Sequence, residues 1–192
     1  MSQLVIGLLL FLGVHSLGYL APAWRAQQRA RLGEGAWKGL YALASVAGFA
    51  LLVWGFSLAR PESAVLWVAP AGMRHGTALL MVLAFILLVA AYVPGTHLRQ
   101  ALGHPMLVAT KLWALGHLLA NGRVVDVVLF GAFLAWAIFG YAISRRRDRA
   151  SGTRYPARGW SRDALAVVIG VLAWGAFAHV GHQWLIGVSP LG

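Results

Sequence analysis

Long apolar runs separated by short arginine-bearing connections constrain this chain more than any other feature. Leu4–Leu20, Leu40–Leu58, Thr77–Val93, Val124–Ser144 and Ala164–Ile186 each meet the roughly 17–25 residues that a membrane-crossing helix needs. In lipid a segment must satisfy its own backbone hydrogen bonds, so each run is expected to be helical. A sixth run, Pro105–Asn121, opens on a proline suited to a first helical turn and is followed by Gly122 as a stop. At about 1.5 Å per residue it reaches about 25 Å against a hydrocarbon core of about 30 Å, and it carries polar groups, so it is expected inside the bundle. The fold expected is all-α: an integral membrane bundle of about six transmembrane helices, with residues 1–192 forming a single transmembrane domain. Ala44 with Gly48, and Ala166 with Gly170, have the small-xxx-small spacing that lets helices approach closely.

Composition agrees, since 60% hydrophobic and only 11% charged residues lie outside the soluble globular class. The net charge of +11 would suit nucleic acid, but the arginines fall between apolar runs, with neither a zinc-finger spacing nor an RNA-binding strand. The charge is read as topology, with membrane lipid as the partner and no nucleic acid. Met1-Ser2-Gln3 lacks a basic n-region, so the first run reads as an uncleaved anchor with its amino end outside. Arg25, Arg29, Arg31, Lys38, Arg99 and the arginines of 145–162 fall on one side, against Arg60, Arg74 and Arg123 on the other. The positive-inside rule then puts both termini outside.

The same rule lays Trp24–Lys38 on the cytoplasmic surface against anionic lipid, interrupted by Gly33 and Gly35. Pro22 is expected to end the first helix, Lys111 to snorkel to an interface, Asp126 to pair with Arg123, and Arg145–Arg162 to form the longest loop.

The absence of cysteine excludes disulfides, thiolate metal sites, iron–sulfur ligation and covalent c-type haem. Carboxylates are almost absent from the apolar runs, which weighs against a di-iron bundle and a carboxylate proton path. Neither a nucleophile elbow nor a phosphate loop occurs.

Imidazole remains. His117 shares a helix face with Thr110, Trp113, Ala114 and Asn121; His15 aligns with Phe11, Gly18 and Tyr19; His179 and His182 share a face beside Gly175 and Ala176. Ionisable groups at such depth point to function. His75, His97 and His104 lie near interfaces, where hydrogen bonding is the expectation, with His75 also within reach of a cofactor's polar edge. Two imidazoles from different helices suit six-coordinate haem iron, with Arg74, Arg123 or His75 for the propionates. They equally suit zinc, copper or one another, so residue types alone leave these alternatives open.

Several segments narrow the choice. Gly13-Val-His-Ser16, Pro22-Ala-Trp-Arg25, Trp37-Lys-Gly-Leu-Tyr41, Val53-Trp-Gly-Phe56 with Ala59-Arg60, and His104-Pro-Met106 with Trp113–Gly122 resemble the NnrU family over nearly the whole chain. The resemblance implies a single NnrU-like transmembrane domain in the bacterial inner membrane, acting in denitrification and nitric oxide metabolism. The plant 15-cis-zeta-carotene isomerases, haem b membrane enzymes, are similar to this family. Carried over, their histidines match His15 and His117, which would be axial ligands, with His179 in reserve. The isomerases have a cysteine three residues before the second histidine; here that place is Ala114, a departure that bears on isomerase chemistry.

Three other roles stand beside this one, the first and third implied by the resemblance. One is an isomerase of a hydrophobic, carotenoid-like substrate. Another is an S-adenosylmethionine methyltransferase, since His104-Pro105 resembles part of an Arg-His-Pro motif, although Gly103 replaces the arginine. The third is a non-catalytic assembly or regulatory partner of denitrification enzymes.

Overall fold

The computed structural model describes residues 1–190, and the chain divides into two compact units, Met1–Ala64 and Val65–Gly192. Among the described residues five helices are long and apolar enough to cross a membrane, and Pro105–Ala120 is a shorter apolar sixth. This is the all-α membrane architecture expected from the apolar runs.

The first unit contains α1 (Ser2–Leu20), α2 (Pro22–Leu32) and α3 (Glu34–Ala59), with α1 lying along α3. Glycines set their separation. A Cβ on Gly48 would stand 2.9 Å from the Phe11 nitrogen, one on Gly7 would stand 2.7 Å from that of Leu52, and one on Gly55 would meet the Leu4 backbone. Lipid supplies no solvent-driven force between helices, so close backbone contact is where they gain attraction. The spacing of Ala44 and Gly48 suggested a close helix approach without naming the partner; Gly7 and Gly55 share the work at this crossing.

Pro22 ends α1, as expected, and also opens α2. Its missing N–H costs nothing in a first turn, while the residue before a proline is disfavoured from helical geometry, so the break falls on Ala21 (φ −134°, ψ 56°). Gly33, at φ 79°, makes the turn between α2 and α3, whereas Gly35 is already inside α3.

The second unit contains α4 (Met73–Tyr92), α5 (His97–Leu102), α6 (Pro105–Ala120), α7 (Val124–Ser151), α8 (Trp160–Ala176), a π-helical turn over Phe177–Gly181, and α9 (His182–Ile186). α4 packs against α6 and α8, and α6 against α7. Ala84, Leu87 and Ala109 form a buried centre flanked by Leu98, Leu102, Leu112 and Trp113. Gly170 acts as its spacing suggested, because a Cβ there would lie 2.6 Å from the Ile86 Cα. Gly122 does more than stop α6: its carbonyl accepts the N–H groups of Leu66 and Trp67 at 2.7 and 3.2 Å.

The segment expected as one long loop, 145–162, is helical to Ser151. Arginine and alanine favour helix, Arg145 pairs with Asp148 at 3.4 Å across one turn, and Gly152 (φ 64°) ends it. The Lys111 ammonium sits 3.8 Å from the centre of the Tyr141 ring, a cation–π contact.

Candidate functional site

His117 sits in the last turn of α6, and its surroundings fix both its backbone and its ring. Thr77 donates to the neighbouring Gly116 carbonyl at 2.9 Å, and the Asn121 amide donates to the His117 carbonyl at 3.0 Å. His117 Nδ1 lies 2.9 Å from the Trp113 carbonyl oxygen. A carbonyl only accepts, so Nδ1 carries the proton and Nε2 carries the lone pair. The ring stacks on Phe130 with centroids 4.6 Å apart and has Trp113 at 5.3 Å.

The second imidazole in this unit is His182. Its ring centroid is 6.4 Å from that of His117, with planes inclined by 20°. His182 Nδ1 lies 2.6 Å from the Val188 carbonyl, which again leaves the lone pair on Nε2. Phe177 meets the His182 ring edge-on at 5.8 Å.

The turn between His179 and His182 is π-helical, with more residues per turn than an α-helix. The shared face expected of two α-helical residues three apart is therefore broken: His182 neighbours His117, while His179 is exposed within the π turn. The sequence offers no periodic signal for such a turn.

His15, in the first unit, is held by the same local device. Its Nδ1 donates to the Phe11 carbonyl one turn back at 2.7 Å, its ring stacks on Phe11 at 4.2 Å, and Tyr41 lies at 5.4 Å. Arg74 and His75 are exposed in the first turn of α4. Arg123 precedes α7; its backbone N–H donates to the buried Asp126 carboxylate at 3.0 Å, so part of the expected pairing runs through the main chain.

Two buried carboxylates to which the sequence reading gave no role engage the remaining histidines. Asp148 accepts from His104 Nε2 at 3.0 Å and from the Tyr155 hydroxyl at 3.1 Å, and Arg99 lies 5.1 Å from the Tyr155 ring centre. Burial, and then the hydrogen bond to Asp148, push the Tyr155 phenol above the ordinary tyrosine range. Asp163 accepts the backbone N–H groups of His97 and Leu98 at 3.0 and 3.1 Å and the His97 ring Nδ1–H at 2.8 Å. Both histidines are hydrogen-bonded, as their interfacial positions suggested. Reciprocal burial of an acid and a base far apart in sequence leaves no local motif to find.

No group of three or more His, Cys, Asp or Glu side chains suited to a metal ion is gathered among the described residues. The donor set on hand is a pair of oriented imidazoles with aromatic walls. A family model described as "NnrU protein" matches residues 3–190. No curated protein and no solved structure matches the chain.

Proposed function

The chain belongs to the NnrU family, and from that premise we propose that it binds haem b in a bacterial inner membrane and acts in denitrification or nitric oxide metabolism. His117 supports this reading most directly. Its Nδ1–H is committed to the Trp113 carbonyl, which fixes the tautomer and ring rotation and raises the basicity of Nε2. Phe130 and Trp113 provide flat apolar surface beside it, and a porphyrin needs only axial ligands from the protein because it supplies four nitrogens itself. With no cysteine for thioether attachment, the haem would be held without covalent bonds. Such a group supplies one-electron chemistry or a binding position for a nitrogen oxide.

The resemblance names His15 as the second axial ligand, and His15 presents its imidazole by the same carbonyl tie. A second reading places His182 there, favoured by the nearly parallel ring 6.4 Å from His117; His179 stands in reserve. Arg74, Arg123 and His75 are the proposed partners of the propionates.

Oxidised and dithionite-reduced absorption spectra of protein from haem-replete cells test the proposal. The wild type is expected to show a low-spin Soret band that His117→Ala abolishes. Whichever of His15→Ala and His182→Ala converts the spectrum to high spin identifies the second ligand. A colourless wild type overturns the haem reading.

A further inference from the structure

Where α2 turns into α3, the first unit carries an open recess of roughly 250 Å³ lined by Arg25, Arg29, Glu34, Trp37, Lys38 and Tyr41. Helical spacing builds it: Arg25 and Arg29 are one turn apart on α2, while Glu34, Lys38 and Tyr41 share a stripe of α3. Glu34 bonds Arg29 at 3.2 Å and Lys38 at 3.1 Å, drawing cations from both helices together. Arg25 has no carboxylate partner among the described residues. Three cations against one carboxylate leave an excess of two positive charges over an aromatic floor, where Trp37 is buried and touches Trp24 edge-on at 6.0 Å.

The recess lies at the end of the two apolar helices of this unit, α1 stopping at Leu20 and α3 beginning at Glu34. Close to its lining residues in the chain, Leu20 at the end of α1, Trp24 at the start of α2 and Leu32 one turn after Arg29 are exposed. A charged recess bordered by apolar surface suits an amphiphile, with an anionic head among the guanidinium and ammonium groups and chains along the leucines. We propose that this recess is a discrete phosphate site and that its occupant is the headgroup of an anionic phospholipid, not free phosphate. Arg25 makes the charged contact that no protein carboxylate supplies, and Glu34 holds Arg29 and Lys38 in position. The site is independent of haem.

The full chain in phosphatidylcholine nanodiscs, doped with phosphatidylglycerol, provides the test, with retained lipid counted by native mass spectrometry. The wild type is expected to retain phosphatidylglycerol over phosphatidylcholine. Arg25→Gln and Lys38→Gln should each weaken retention about fivefold, the equivalent of roughly 1 kcal/mol per cation at an anionic surface. Arg25→Lys should retain most of the preference. Arg146→Gln and Arg149→Gln remove equal charge from exposed positions on α7 and should change nothing; equal losses from both pairs would reduce the site to diffuse surface charge and overturn it. Inorganic phosphate titrated calorimetrically into undoped nanodiscs should give no heat. Phosphate binding that Arg25→Gln abolishes would assign the recess to a soluble ligand and overturn the lipid.

Discussion

The imidazoles of His117 and His182 stand 6.4 Å apart on separate helices with their planes inclined by only 20°, and each gives its Nδ1 proton to a backbone carbonyl. Two lone pairs are thereby kept on the same ring atom, Nε2, by independent stretches of main chain. The π turn that precedes His182 is part of this arrangement. Deleting Ala173, in the α-helical stretch before that turn, is expected to swing His182 by about 100°, one residue's rotation. With His182 as the second ligand, the deletion should convert a low-spin spectrum to high spin; with His15 in that place, the spectrum should persist.

Helix approach in the first unit depends on absent side chains. Gly55→Leu puts a side chain into the Leu4 backbone and is expected to cost about 1–3 kcal/mol through overpacking, read as a lowered midpoint of thermal unfolding in detergent. Gly39 faces open space, and Gly39→Ala should stabilise by roughly 0.5–1 kcal/mol through reduced backbone entropy. Equal midpoints for the two variants would contradict the packing described.

Asp163 satisfies the first two amides of the short helix α5, and Thr96 takes the third, from Arg99, at 3.0 Å. Asp163→Ala should cost about 1.5–3 kcal/mol, the range for hydrogen bonds to a charged group, with faster amide exchange at His97 and Leu98. Unchanged exchange at those two positions would refute the clamp.

Asp148 and Tyr155 give a pH dependence with a definite sign. Burial and the hydrogen bond to Asp148 raise the phenol's folded-state pKa above its unfolded value of about 10. The associated stability is present in full below the unfolded pKa and is lost as pH rises through the folded one, because the folded state keeps the proton longer. Tyr155→Phe should remove one late-ionising component from the ultraviolet titration. Asp148→Asn should bring it back toward the ordinary range.

The helices were legible because lipid imposes a plain rule: each span needs an unbroken apolar run, and the five long helices lie where those runs lie. Their ends were harder to read. Pro22 signals a boundary without saying which side of it is helical, and Arg145–Arg149 are as compatible with a water-exposed helix as with a loop. His15 and His117 stood out as ionisable groups within apolar runs that the family resemblance also matches, whereas the backbone carbonyl that ties each ring is offered by whatever residue stands four earlier and so leaves no mark in the sequence. His179 is the reserve ligand through its match to the family, whereas the change of pitch over Phe177–Gly181, which leaves His182 and not His179 beside His117, has no signal in the sequence. Asp148 and Asp163 left no trace because their partners His104 and His97 come from distant parts of the chain.

Pro105–Ala120 spans only about 24 Å at helical rise, less than a hydrocarbon slab of about 30 Å. A span that falls short draws the polar boundary inward at its end or thins the bilayer around it. His117 is three residues from that end. The imidazole held between Trp113 and Phe130 therefore belongs to the shortest of the six apolar helices described, one turn from its end.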